Sequence, residues 1–217
     1  MALDSDIKRD VEAELKWDPV IDATDIAVAV SNGVVTLTGF VRSYADRSEA
    51  EVVAKRVKGV VGIANDLKVR LANDSQRPDP EIARDAVAAL QAELPHSSQS
   101  MKVVVKDGWI TIEGNAEWHY QRTRAEDAVR RVKGVKGITN VISLRPPVAP
   151  TDIKARIQEA FRRNAEFDAS HISVETSGSE VILRGTVRSW VERQEAERVA
   201  WRAPGVTDVH NRITISV

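Results

Sequence analysis

Gly39-Phe40-Val41-Arg42-Ser43-Tyr44, followed by Lys58-Gly59-Val60 and then Asn65, decides the fold, because this stretch is written three times. Gly114 opens a second copy that runs through Lys133-Gly134-Val135 to Asn140. Gly185 opens a third, Gly185-Thr186-Val187-Arg188-Ser189-Trp190, which runs through Pro204-Gly205-Val206 to Asn211. In each copy the second glycine lies 20 residues after the first and the asparagine 26 after. The register extends upstream, since Ile7, Ile82 and Ile153 each precede their glycine by 32 residues. Self-similarity at fixed offsets marks a repeated structural unit.

Each unit opens with an amphipathic helix. Ile7, Val11 and Leu15 recur at four-residue steps among charged residues, as do Ile82, Ala86 and Leu90, and Ile153, Ile157 and Phe161. Pro80 after Asp79 predicts a capped helix start in the second copy, and Thr151 or Asp152 does so in the third. Two alternating strands follow, joined by Asn32-Gly33, Asp107-Gly108 or Ser177-Gly178-Ser179, which suit a tight hairpin. Gly39, Gly114 and Gly185 sit late in the second strand, where close approach or positive φ excludes a Cβ. Ser43 and Ser189, each with an acid three residues on, start a second helix, whereas Trp118 and Gln121 make a weaker cap in the second copy. Gly59, Gly134 and Gly205 are read as the left-handed residues ending that helix. A third strand closes each unit through Leu67, Ile142 or Ile213.

The order is αββαβ, so the expected architecture is α+β: three tandem domains over residues 1–71, 79–145 and 150–217. Each is a three-stranded sheet with two helices on one face. The second linker, Arg145-Pro146-Pro147-Val148-Ala149-Pro150, is stiffened by three prolines. Units this small are marginal alone, which makes contacts between copies expected.

The 217 residues are 42% hydrophobic and 29% charged, a globular composition, and no apolar run approaches the roughly 20 residues of a membrane span. No cysteine is present, which excludes disulfides, thiolate chemistry and a lipidated cysteine. With no basic-then-apolar opening either, the expected location is the cytoplasm. Net charge is −1 but uneven: residues 75–147 carry 11 Lys and Arg against 9 Asp and Glu, whereas residues 1–74 carry 10 against 13. Any anionic partner is expected at the middle copy.

The αββαβ unit with Gly39, Gly59, Val60 and Asn65, repeated at Gly114, Gly134, Val135 and Asn140 and at Gly185, Gly205, Val206 and Asn211, resembles the BON domain. That family is named for bacterial osmotic-stress and nodulation proteins. The resemblance implies a non-catalytic module that binds phospholipid or partner proteins, with members often periplasmic or envelope-associated. The shared residues are fold residues, so they carry over architecture rather than a site.

His96, His119, His171 and His210 recur at no common position and have no metal-ligand spacing, so neither an enzyme, a metal site nor a cofactor is expected. Gly59-Val60-Val61-Gly62 resembles a nucleic-acid GXXG loop, but it joins a helix to a strand and is read as a turn, and no nucleic acid is expected. The leading candidate is aromatic and basic: Trp109, Trp118, Tyr120, Arg122, Arg124, Arg130, Arg131, Lys133 and Lys136. Indole at headgroup depth beside Lys and Arg suits a peripheral, anionic phospholipid surface. The competing reading is packing, since Tyr44, His119 and Trp190 share one repeat position. Trp17 and Trp201 fall on nominally polar helix faces and are candidate interface residues, which favours the alternative of a protein-interaction scaffold or oligomer.

Overall fold

The computed structural model describes residues 3–147, 152–164 and 168–216. The prolyl linker at 148–150 and the capping candidate Thr151 lie outside them. The first repeat comprises α1 (Asp4–Trp17), β1 (Ile26–Ser31), β2 (Val34–Val41), α2 (Tyr44–Arg56) and β3 (Gly62–Val69). The second comprises α3 (Asp79–Glu93), β4 (Met101–Lys106), β5 (Trp109–Ala116), α4 (His119–Arg130) and a third strand split into β6 (Gly137–Asn140) and β7 (Ser143–Leu144). The third comprises α5 (Ile153–Arg163), β8 (Ile172–Ser177), β9 (Glu180–Val187), α6 (Trp190–Trp201) and β10 (Asp208–Ile215). Three αββαβ units are therefore present, as the sequence predicts.

In each sheet the second strand is central, antiparallel to the first and parallel to the third. The inward residues of each sheet, such as Val35 and Leu37, pack under the helix stripe Ile7, Val11 and Leu15, and each repeat has its own core. Burying that stripe supplies most of the stability of such short helices. Among the described residues, no helix covers the other face of each sheet.

The repeated residues have structural roles. At Gly39 an added Cβ would lie 1.9 Å from the Asp25 carbonyl oxygen, and at Gly185 it would lie 1.9 Å from that of His171. The chain entering the first strand thus occupies the space a side chain would need. Asn65 clips the third strand to the second helix: its Nδ2 donates to the Arg47 carbonyl (3.0 Å) while its Oδ1 accepts from Leu67 N–H (3.3 Å). Asn140 and Asn211 repeat the clip on Arg122 and Arg193.

Three local expectations need correction. Helix α2 ends at Arg56 with an extended Val57 at its cap, so Gly59 is not the helix's left-handed cap residue. Val60 N–H donates to Val57 O (3.3 Å), closing a separate turn whose third residue, Gly59, has φ +92. Such a turn demands positive φ at that position. Asp79 does not cap α3; its carboxylate accepts from Asp107 and Gly108 N–H (2.8 and 2.9 Å), pinning the hairpin turn, as Asp4 does at Asn32 and Gly33. Asp152 precedes α5 in a left-handed conformation and makes no side-chain cap.

Candidate functional site

The repeats meet through their second helices in a cyclic order. Tyr44, which begins α2, packs against the core of repeat 2. His119, which begins α4, stacks on Trp201 at the end of α6, with ring centroids 3.9 Å apart and planes 13° from parallel. Trp190, which begins α6, faces Lys55 near the end of α2, 5.3 Å from ring centroid to Nζ, and α2 and α6 are in contact. At two junctions the same repeat position (His119, Trp190) thus meets the same later position of the next copy (Trp201, Lys55), and with Tyr44 reaching repeat 2 the three copies close a ring. A heterologous contact of this kind leaves no free end once it closes.

Packing decides the chemistry of His119. Burial, reinforced by the nearby positive charge of Arg122, lowers its pKa to about 4, although Glu197 acts in the opposite sense. The ring is therefore neutral near neutral pH.

The aromatic and basic cluster read from the sequence divides among the cleft beside α6, the far end of α4 and the open side of the sheet. Trp118, Tyr120 and Arg124 line a cleft between α4 and α6, together with Trp201. Arg122 lies half-buried in α4 beside His119 and presents its carbonyl to Asn140, while Arg130 is held by Glu126 and Asp127 (3.2 and 3.1 Å). Arg131 and Lys133 are exposed beyond the other end of α4. Since α4 has 12 residues, its ends are about 18 Å apart.

Trp109 is on the helix-free sheet face, 47% exposed. Its ring lies over Gly137, where an added Cβ would come within 2.3 Å of it, and its Nε1 donates to Thr139 Oγ1 (2.8 Å). Lys106 is its register partner on β4, and Lys102 and Val104 share that exposed face. Lys136 lies beside the adjacent turn, its side-chain carbons 3.2 Å from where a Gly108 Cβ would stand. None of Lys102, Lys106 and Lys136 has an ion pair among the described residues. Sequence reasoning missed Lys102, Val104 and Lys106, although the period-two alternation against Met101, Val103 and Val105 was the signal. The corresponding residues of repeat 1 are Ala27, Ala29 and Ser31, and those of repeat 3 are Ser173, Glu175 and Ser177. Only the middle repeat concentrates lysine there.

Trp17 is 84% exposed at the end of α1, near the exposed Val20, and takes no part in the ring. Among the described residues there is no group of three or more His, Asp or Glu placed to hold a metal ion, and no helix is long and apolar enough to cross a membrane.

Comparison with known proteins bears on these features. The BON domain matches residues 3–70, 78–146 and 150–216. Osmotically-inducible protein Y of Escherichia coli (strain K12) is 36% identical over 141 residues, covering 63% of this chain and 70% of that protein. Among solved structures, the C-terminal domain of CdsD, the structural protein of the type III secretion system of Chlamydia trachomatis, is 13% identical, with 98% of each chain covered and a TM-score of 0.27. The PrgH periplasmic domain is 10% identical, covering 90% of this chain and 97% of its own, with a TM-score of 0.25. Scores that low carry no argument about fold or function.

Proposed function

The chain belongs to the BON-domain family, and on that premise we propose that it is a non-catalytic protein of osmotic stress that binds peripherally to anionic phospholipid through repeat 2. The observation that carries this reading is the helix-free face of the second sheet, where Lys102 and Lys106 flank Val104 and Lys106 stands opposite Trp109, with Lys136 beside the turn at the end of that sheet. Lysine stems let the ammonium groups reach headgroup phosphates while the indole settles at the interface. Each lysine near an anionic surface is worth about 1 kcal/mol, so three give reversible, salt-sensitive association rather than anchoring. Osmotic stress enters through the name of the E. coli relative, and a cytoplasmic location is part of the same proposal. The reading is tested by replacing Lys102, Lys106 and Lys136 together with Glu. Binding to phosphatidylglycerol vesicles is expected in the parent and lost in the variant; equal binding by both contradicts it.

A second reading, a protein-interaction scaffold, draws on the exposure of Trp17 and Val20. Isolated tryptophans of this kind act as anchors in interfaces. If it holds, Trp17→Ala shifts a self-associating chain to monomer in light scattering; a strict monomer before and after the change, with no partner crosslinked to Trp17, excludes it.

A further inference from the structure

The cleft between repeats 2 and 3 has features that neither the fold nor the membrane reading uses. Trp118, Tyr120 and Arg124 at the start of α4 and Trp201 and Arg202 at the end of α6 line an open cleft of about 720 Å³ beside the His119–Trp201 stack. That volume is in the range of small-molecule sites. The repeat makes its lining unusual. Trp118 stands where the other copies have Ser43 and Ser189, Tyr120 where they have Ala45 and Val191, and Trp201 where they have Lys55 and Arg130. Three departures from the repeat, all to aromatics, converge on one of three equivalent junctions.

Trp118 also weakens the helix it begins. Ser43 and Ser189 accept the N–H of Asp46 and Glu192 and so cap α2 and α6. Indole has no acceptor for that purpose. Only the reverse half of the cap remains, Gln121 Oε1 accepting from Glu117 and Trp118 N–H (2.9 and 3.0 Å). Trp118 itself is half-buried, and Tyr120 beside it is 56% exposed. The charges of the cleft are mostly committed: Arg124 to Glu93 (3.1 Å), Arg198 to Glu195, and Glu197 to Asn211 Nδ2 (2.9 Å). The exposed guanidinium of Arg202 has no ion pair within 4 Å among the described residues.

We propose that this cleft binds a planar aromatic monoanion of one or two rings, an aryl carboxylate or sulfonate, stacked on Trp118, Tyr120 and Trp201 with its charge on Arg202. Flat walls reward a flat ligand, because aromatic surfaces gain from offset or edge contact beyond the area they bury. A flexible acyl chain gains nothing of that kind, and a multiply charged headgroup needs more than the single guanidinium of Arg202, whose charge also acts on the Glu195 carboxylate. The site lies at the end of α4 opposite Arg131 and Lys133 and uses none of the lysines of the sheet face, so it stands or falls apart from vesicle binding.

The test uses the full chain with naphthalene-2-sulfonate and its uncharged counterpart 2-naphthol, followed by the indole N–H signals in two-dimensional NMR and by calorimetry. Saturable one-to-one binding of the sulfonate is expected, moving the Trp118 and Trp201 signals and not that of Trp109. Trp118→Ser and Trp201→Lys, which install residues the first repeat already accommodates, are each expected to weaken it by about tenfold or more, the loss of one aromatic wall. Arg202→Gln is expected to weaken the sulfonate and leave 2-naphthol unchanged. No saturation at millimolar sulfonate, or undiminished affinity in Trp118→Ser, overturns the site; equal affinity for 2-naphthol overturns its preference for an anion.

Discussion

Lowering the pH is expected to loosen the junction of repeats 2 and 3 through His119. The imidazole stacks on Trp201 of α6, with Arg122 of its own helix and Glu197 of α6 the charges that act on it. Burial, then Arg122, lowers its pKa from 6.5 to about 4, so the folded protein keeps the ring neutral where the unfolded chain already binds a proton. Stability from the neutral stack is therefore fully present above pH 6.5 and is lost as the pH falls from there toward 4. For a fully shielded group that interval corresponds to about 3 kcal/mol; His119 is only half-buried, and solvent screening reduces the expected loss to about 1–2 kcal/mol. The assay is urea unfolding at pH 7.5 and pH 4.5 for the parent and His119→Gln, a variant of similar size that does not titrate. Glu51 and Glu195, whose carboxylates are also held below their ordinary range, are present in both proteins and cancel in the comparison. Burial pushes both upward, but the Lys55 and Asn65 contacts of Glu51 and the Arg198 and Asn164 contacts of Glu195 prevail. The parent is expected to lose about 1–2 kcal/mol more than the variant over this range. Equal losses, or an NMR titration of His119 with its midpoint near 6.5, refute the reasoning.

Gly39→Ala is expected to cost more than about 3 kcal/mol or to prevent folding, since its Cβ would lie 1.9 Å from a backbone oxygen. Gly178→Ala, with no atom within 4 Å but φ +58, is expected to cost about 1 kcal/mol, and thermal unfolding separates the two. Asn65→Ala breaks the hydrogen bonds to Arg47 O and Leu67 N–H and is expected to lower stability by about 1–3 kcal/mol in urea unfolding. Trp118→Ser restores the missing cap acceptor and is expected to raise stability by about 0.5–1 kcal/mol; a decrease means that the indole packs more than the cleft suggests.

The unit was legible because its punctuation is local and stated three times. Asn32-Gly33 and Asp107-Gly108 take positive φ as their residue types demand, and Ser43 and Ser189 cap the helices they precede. The roles of Asp4 and Asp79 were not legible, because each reaches a turn 28 residues away and nothing next to it in sequence signals that contact. Position also misled at Gly59, where a turn glycine near a helix end has the same signature as a helix cap. The ring was half legible. Tyr44, His119 and Trp190 share a position, but a heterologous contact pairs them with a different position of another copy, which alignment of the copies cannot display. The candidate site was harder because sequence proximity grouped Trp109 with Trp118 and Tyr120. The fold sends Trp109 to the open sheet face, with Lys102 and Lys106, and sends Trp118 and Tyr120 to the cleft with Trp201.

The most direct test of the proposed function is flotation of the full chain with vesicles of phosphatidylcholine alone and with vesicles containing phosphatidylglycerol, at low and physiological salt. Lysines placed around an exposed indole are expected to carry the protein upward only with the anionic vesicles, and less at physiological salt than at low salt. Absence from the floated fraction at both salts, or equal flotation with both vesicle types, contradicts it.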